Sequence, residues 1–229
     1  MPEPEKVRAM FASIAPRYDL LNRTLSMGID VRWRKRVLAR AREVPRDGPL
    51  RVLDVCTGTG DLALAFSADG ARVVGVDFTR PMLLIGAEKR GDVAFVEGDA
   101  LALPAREQAF DVATVAFGLR NTADHPRALS ELARAVRPGG RVLVLEFSTP
   151  RSRIFAGAYR FYFHRVLPRV GGWVSRNPAA YRYLPESVDR WPGARELQFD
   201  FEAAGLVDCG FERLTGGIAC LHYGTRPHV

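Results

Sequence analysis

Apolar residues in this 229-residue chain change period along its length. Up to residue 42 they recur at helical spacing: Val7, Met10, Phe11 and Ile14, then Tyr18, Leu21 and Leu25, with Pro16 between the two runs. Proline removes a backbone donor and clashes one turn back, so the pattern predicts two short helices joined by a turn. Val31 to Arg42 reads as a third helix with a strongly basic face, and Pro45-Arg46-Asp47-Gly48-Pro49 reads as a linker. Beyond it, β-branched apolar runs alternate with helical stretches. Strands are expected near 51–56, 72–77, 93–97, 110–116 and 141–147. Helices are expected near 60–68, 80–89 and 124–137, the last ended by Arg137-Pro138-Gly139-Gly140. Such alternation implies a parallel, doubly wound α/β sheet. Residues 151–192 break it with an aromatic, basic stretch that includes Phe155, Tyr159, Phe161, Phe163, Trp173 and Tyr183, expected to form a helical insertion. Residues 193–204 return to helix, and 206–213 and 217–226 to an antiparallel strand pair. The expected organisation is a helical extension over 1–45 and one domain over 46–229, forming one compact unit.

Composition narrows the class. Hydrophobic content of 47% and charged content of 26% are ordinary for a globular protein. No apolar run approaches the ~18 residues that would span a bilayer, and the acidic start Met1-Pro2-Glu3-Pro4-Glu5 has no signal-peptide pattern. Cys56, Cys209 and Cys220 have neither metal-ligand spacing nor an even count, so they read as packed thiols of a cytoplasmic protein without a metal site. The net charge is +7, and the excess is uneven. Residues 151–195 hold nine arginines against Glu186 and Asp189, and residues 1–50 hold eleven Lys and Arg against six acids. Basic flanks suit an anionic surface, either nucleic acid or membrane.

The chemistry concentrates at strand ends. Arg51 to Val55 runs into Cys56-Thr57-Gly58-Thr59-Gly60-Asp61, then a helix, then a strand ending in Asp77. Glycines let the backbone approach a ligand, and a carboxylate at the second strand's tip can accept from a ribose diol. Asp77 lies 19 residues after Gly58, near the ~20 of nucleoside-binding βαβ units. The glycine pattern lacks the third small residue of a dinucleotide site, and Asp61 at the helix start opposes a pyrophosphate. It could instead face a cation, so an adenosine with a positive group, as in S-adenosylmethionine (SAM), fits better than NAD. Asp54, Gly58, Asp77, Asp99 and Phe117 to Asn121 all map to the carboxyl ends of strands, where such sheets bind ligands. Asp99 and Ala100 suit adenine recognition, with a loop-capping Asp as the other reading. Arg120 and Asn121 suit either substrate contact or a salt bridge.

At these residues the chain resembles the class I SAM-dependent methyltransferases, and more narrowly the quinone-biosynthesis C-methyltransferases. The resemblance runs nearly end to end. It rests on Phe11-Ala12-Ser13-Ile14-Ala15-Pro16-Arg17-Tyr18-Asp19, Leu53 to Asp61, Gly75-Val76-Asp77-Phe78, Phe117-Gly118-Leu119-Arg120-Asn121, Arg137-Pro138-Gly139-Gly140, Leu145-Glu146-Phe147-Ser148 and Tyr181-Arg182-Tyr183-Leu184-Pro185-Glu186-Ser187. The glycine turn is common to the whole class, whereas the Arg-Tyr-Asp, Phe-Gly-Leu-Arg-Asn and Tyr-Arg-Tyr-Leu-Pro-Glu-Ser motifs are specific to the narrower family. Thr79-Arg80 departs mildly from the pattern, at the cofactor's outer contacts.

The resemblance implies a Rossmann-like, seven-stranded, mostly parallel sheet whose last strand is antiparallel. It implies SAM contacts at Thr59, Asp77, Asp99 and Ala100, with Asp54 beside them and Gly58 and Gly60 shaping the loop. It places Arg120 and Asn121 near the acceptor ring, Arg120 to stabilise a developing phenolate. Tyr18 and Asp19 could close over the site; His164 and His222 are candidate bases, with a structural or surface role as the other reading of each. The implied substrate is a polyprenylated hydroquinone, demethylmenaquinol in preference to 2-methoxy-6-polyprenyl-1,4-benzoquinol. An RNA methyltransferase would share the fold, but no Asn-Pro-Pro-Tyr-type or catalytic cysteine motif is present, so no nucleic-acid partner is expected. Residues 151–192 could form an interfacial lid contacting the inner face of the membrane. The bland reading of that stretch is an ordinary packed helix pair. A homodimer is also compatible with the sequence.

Overall fold

The computed structural model describes residues 3–150, 152–166 and 178–228. Three helices precede the sheet: α1 (Pro4–Ile14), α2 (Tyr18–Leu25) and α3 (Ile29–Arg42), with a 3-10 turn at Ala15–Arg17 where Pro16 interrupts the helical run. The alternating portion follows as β1 (Arg51–Val55), α4 (Asp61–Ala68), β2 (Arg72–Asp77), α5 (Arg80–Glu88), β3 (Val93–Glu97), β4 (Phe110–Ala116), α6 (His125–Ala135) and β5 (Val136–Phe147). Next come α7 (Arg153–Phe161), a π-helical stretch (Tyr162–Val166), α8 (Pro178–Asp189), α9 (Ala194–Ala203), β6 (Val207–Leu214) and β7 (Ala219–Thr225). Trp173, part of the expected insertion, lies outside the described residues.

The seven strands form one sheet in the order β3-β2-β1-β4-β5-β7-β6. β1 through β5 pair in parallel, and β7 runs antiparallel between β5 and β6. Helices cover both faces, which is why the central strands read as continuous apolar runs. One face packs Leu53, Val55, Leu129, Leu132 and Phe201, and the other Val37, Leu50, Val52, Phe66 and Leu221. A third cluster joins Ile14 and Leu21 of the N-terminal segment to Met82, Phe163 and Val188. It ties the N-terminal helices to α5, the π-helical stretch and α8, above the carboxyl ends of the parallel strands.

One boundary differs from the sequence reading. The helix expected to run to 137 ends at Ala135, and Arg137-Pro138-Gly139-Gly140 belongs to β5 rather than to a helix stop. β4 already pairs with β5 at Phe110 and Val136, and the register then shifts to Val112 and Arg141. Gly139 N–H donates to the Arg226 carbonyl, and Arg226 N–H to the Gly140 carbonyl, each at 2.9 Å. The Arg226 guanidinium donates to the carbonyls of Ala133, Arg134 and Val136 at 3.0, 2.7 and 2.8 Å. A side chain from the far end of the chain thus satisfies the helix's orphan carbonyls, a contact that local sequence does not encode.

Candidate active site

The glycine turn after β1 is held by carboxylates from two strands. Asp77, at the tip of β2, accepts from Gly58 N–H at 2.9 Å and from Thr79 N–H at 2.8 Å. Asp54, inside β1, accepts from the hydroxyls of Thr57 at 2.6 Å and Thr114 at 2.7 Å. Burial pushes the Asp54 carboxyl up to about 6 against the pull of those hydroxyls, and burial raises Asp77 as well. Gly60 begins α4 at φ +80°, and a Cβ there would lie 2.6 Å from the Phe95 ring. Glycine is required at Gly60 both by the left-handed backbone and by the close approach.

Thr59 donates its hydroxyl to Asp19 of α2, fastening the N-terminal segment to the turn. Lys89 bridges Asp19 at 2.6 Å and Asp61 at 2.9 Å. Arg34 pairs with Asp30 and lies 3.5 Å from Asp61. Burial would raise the Asp61 carboxyl, but Arg34 and Lys89 outweigh it and leave the group below the usual range. Asp61 therefore meets two cations of the protein itself, which corrects the reading of it as facing a cationic ligand.

After β4 the chain turns sharply at Phe117, whose φ is +60°. The turn folds Arg120 back so that Nη1 donates to the Phe117 carbonyl at 2.6 Å and to Glu146 at 2.7 Å. The Arg120 side chain is 6% exposed and that of Glu146 0%. Arg120 Nε donates to the Ser187 hydroxyl at 3.3 Å, and the guanidinium carbon lies 5.3 Å from the centre of the Phe147 ring. Asn121 accepts from the Tyr183 hydroxyl at 3.0 Å.

Two cavities open at these strand ends. The smaller, about 90 Å³, is walled by Asp77, Phe78, Thr79, Gly98, Asp99, Ala100 and Asn121 among others. Among its described lining residues there is no Lys or Arg, so it offers no countercharge to a phosphate. The larger, about 220 Å³, is walled by Met10, Ile14, Trp33, Arg120, Phe147, Tyr159 and Phe163 among others, with Asp54 and Thr59 along the glycine turn. Phe11, Tyr18, Cys56, Gly58, Ala116 and Phe117 line both. Tyr18 stands at this boundary, its phenol raised by burial and held down by a hydrogen bond with Asn22 and by the charge of Arg120.

A model of the ubiE/COQ5 methyltransferase family matches residues 2–226. The chain belongs to that family. It is 54% identical over 224 residues to the demethylmenaquinone methyltransferase of Thermus thermophilus, covering 95% of this chain and 100% of that protein. It is 42% identical over 231 residues to a ubiquinone/menaquinone biosynthesis C-methyltransferase of a Geobacter species, covering 97% of each. Among solved structures, a SAM-dependent methyltransferase of Thermotoga maritima matches at a TM-score of 0.69 with 18% identity, over 96% of this chain and 99% of that one. The [4+2]-cyclase SpnF matches at 0.72 with 19% identity, over 100% of this chain and 98% of that one. Likeness at that level shows the fold alone, and the cyclase illustrates that this fold hosts other chemistry.

The protein is thus a SAM-dependent methyltransferase. Its cavities accord with that cofactor: the smaller has carboxylates at the strand tips and lacks phosphate-binding cations. Of the residues singled out from sequence, Asp77, Asp99, Ala100 and Asn121 border the smaller cavity, Asp54, Thr59 and Arg120 the larger, and Tyr18 and Gly58 both. Asp99 also caps its own loop, accepting from Leu101 N–H at 2.9 Å. Gly60 shapes the turn from behind. The two histidines are elsewhere. His164 is exposed, 3.5 Å from Asp189, and His222 of β7 is buried against the rings of Phe201 in α9 and Phe211 in β6, with Nε2 donating to the Ala194 carbonyl at 2.8 Å. Sequence reasoning missed Glu146, Arg34 and Tyr159. An acid inside the apolar run of β5 was the available signal for Glu146.

Proposed function

We propose that the protein methylates a ring carbon of a polyprenylated hydroquinone, converting demethylmenaquinol to menaquinol. The observation that carries this reading is the apolar 220 Å³ cavity with a buried guanidinium in its wall, set against a smaller neighbour bordered by Asp77 and Asp99. Relatives named for this reaction, at up to 54% identity, support the same reading.

SAM, when bound, supplies an electrophilic methyl group. Asp77, Asp99 and Ala100 hold the nucleoside side, with Thr59, Gly58 and Gly60 shaping the turn beside it. The larger cavity holds the electron-rich hydroquinone ring. Methyl transfer would form the new C–C bond at that ring as the C–S bond breaks with its electron pair left on sulfur, and the displaced ring proton would pass to solvent, restoring aromaticity. Arg120 favours the phenolate character that makes the ring carbon nucleophilic. Glu146 holds the guanidinium in place, so orientation as well as charge is fixed. Tyr18 and Asn121 border the reacting atoms, and the N-terminal helices α1 to α3 cap them and exclude water.

The isoprenoid tail requires access to a membrane. Phe161 at the end of α7, Leu20 of α2 and Met27 are 65%, 63% and 76% exposed, and Arg160 and Arg165 flank Phe161 in sequence. Exposed apolar side chains beside arginines suit an anionic interface, at the inner face of the cytoplasmic membrane. Among the described residues no helix is long and apolar enough to cross one.

The test is to incubate the enzyme with methyl-labelled SAM and three acceptors: reduced demethylmenaquinone, a reduced benzoquinone precursor of ubiquinone, and RNA. Label in the naphthoquinol is expected. Label in the benzoquinol alone would keep the chemistry and change the substrate. Label in RNA alone would overturn the reading.

A further inference from the structure

Four tyrosines line the larger cavity: Tyr18, Tyr159, Tyr162 and Tyr183. Three have partners. Tyr18 bonds with Asn22, Tyr162 donates to the Leu25 carbonyl at 3.0 Å, and Tyr183 donates to Asn121 at 3.0 Å. The Tyr159 hydroxyl is buried and has none. Two other buried side-chain atoms among the described residues share that state, Arg141 Nε and His222 Nδ1. Each belongs to a side chain anchored through another nitrogen: Arg141 Nη1 donates to the Arg40 carbonyl and to Glu43, and His222 Nε2 to the Ala194 carbonyl. Neither residue lines either of the two cavities. The Tyr159 side chain has a single polar atom and is the one member of this group on the wall of the larger cavity.

Buried hydroxyls in native structures almost always have a partner. An orphan in the wall of an apolar cavity therefore marks where a ligand's polar atom belongs. The ring is well fixed for such a task. Tyr159 stacks on Phe163 with centroids 5.0 Å apart and planes 24° apart. Phe163 packs on Phe147 at 5.8 Å, and Phe147 lies beneath the Arg120 guanidinium. Arg120 acts electrostatically on Tyr159 across the same space. The group stays a neutral donor, because burial drives its ionisation well above the ordinary phenol range. Tyr159 is absent from the smaller cavity, so its partner is the acceptor rather than the nucleoside.

We propose that Tyr159 donates a hydrogen bond to a ring oxygen of the bound hydroquinone, aligning the ring and stabilising negative charge on that oxygen as the methyl group is transferred. This rests on the hydroquinone reading above. The bond strengthens as the oxygen gains charge, so it favours the transition state over the ground state.

The test compares Tyr159→Phe with Tyr162→Phe in the full-length enzyme, using reduced demethylmenaquinone as acceptor. Tyr159→Phe is expected to lower kcat/KM for the quinol roughly tenfold to a hundredfold, the size of a hydrogen bond to a charged oxygen. Its melting temperature is expected to stay level or rise, because an unsatisfied hydroxyl is removed. Affinity for S-adenosylhomocysteine should hold within about twofold. Tyr162→Phe, which loses a bond already made, is expected to lower the melting temperature. A stability loss at Tyr159→Phe without the kinetic effect would make Tyr159 structural and overturn the proposal. Unchanged kcat/KM in an active enzyme would overturn it and leave the function standing. A wild-type enzyme that methylates no quinol would overturn the function, and this assignment with it.

Discussion

Arg120 and Glu146 form an ion pair of 2.7 Å that is closed to solvent at both ends. Breaking a buried pair from one side strands a charge in a medium that solvates it poorly. Glu146→Ala should therefore cost about 3–5 kcal/mol of stability, read by urea denaturation. Joining it to Arg120→Met should recover much of that loss, because the double variant buries no lone charge. Both variants should lose quinol methylation, and a double variant that restored activity would show that the guanidinium has no chemical part.

Asp54 and His222 should bend the pH dependence of stability in opposite directions. Burial pushes the Asp54 carboxyl up to about 6 in the fold, from 3.8 for a free aspartate. Its folded pKa is raised, so the stability it contributes is present at low pH and is lost as pH climbs from about 4 to 6. His222 is pushed down to about 4 from 6.5 by burial. Its folded pKa is depressed, so its contribution is present above about 6.5 and lost as pH falls toward 4. Each amounts to about 3 kcal/mol across its window. Asp54→Asn should make stability rise more steeply with pH between about 4 and 6, and His222→Gln should make it fall. Denaturation midpoints at three pH values would show it, and parallel curves for all three proteins would refute both assignments.

Gly60 and Gly70 have nearly the same backbone, at φ +80° and +83°. A Cβ at Gly70 meets nothing within 4 Å, whereas one at Gly60 meets Phe95. Gly70→Ala should thus cost about 1 kcal/mol from the left-handed backbone alone. Gly60→Ala adds overpacking of about 1–3 kcal/mol and displaces the turn. Calorimetric titration with S-adenosylhomocysteine should show weakened binding for Gly60→Ala and unchanged binding for Gly70→Ala.

Thr59→Val removes the hydroxyl that fastens Asp19 to the glycine turn, while Lys89 retains its hold on Asp19 at 2.6 Å. Amide exchange across residues 18–25 should quicken modestly in this variant, and strongly when Lys89→Met is added. Equal protection in both variants would mean that packing of Leu21 alone keeps α2 down.

The sheet was legible because its signals are local: β-branched runs, Gly58 and Gly60, and an acid spaced to reach the tip of the next strand. Asp77 was found for that reason, and its two backbone bonds show how the carboxylate shapes the turn. What the sequence hid depends on distant partners. Asp61 looks like a carboxylate waiting for a cation until Arg34 and Lys89 arrive from α3 and the end of α5. Arg137-Pro138-Gly139-Gly140 looks like a helix stop until Arg226 caps α6 from beyond β7. In sequence His222 is one more histidine that could serve as a base, and only the surrounding Phe201 and Phe211 reveal a residue committed to the core. Glu146 looks like a stray charge in β5 until the turn at Phe117 brings Arg120 to it.

Phe11 and Tyr18 belong to both cavities at once. They sit on one short stretch of chain, on either side of the bend at Pro16. A displacement of that stretch widens the two compartments together, so a water-soluble nucleoside and a lipid answer to the same gatepost. Any movement that opened one compartment by shifting this stretch would open the other with it.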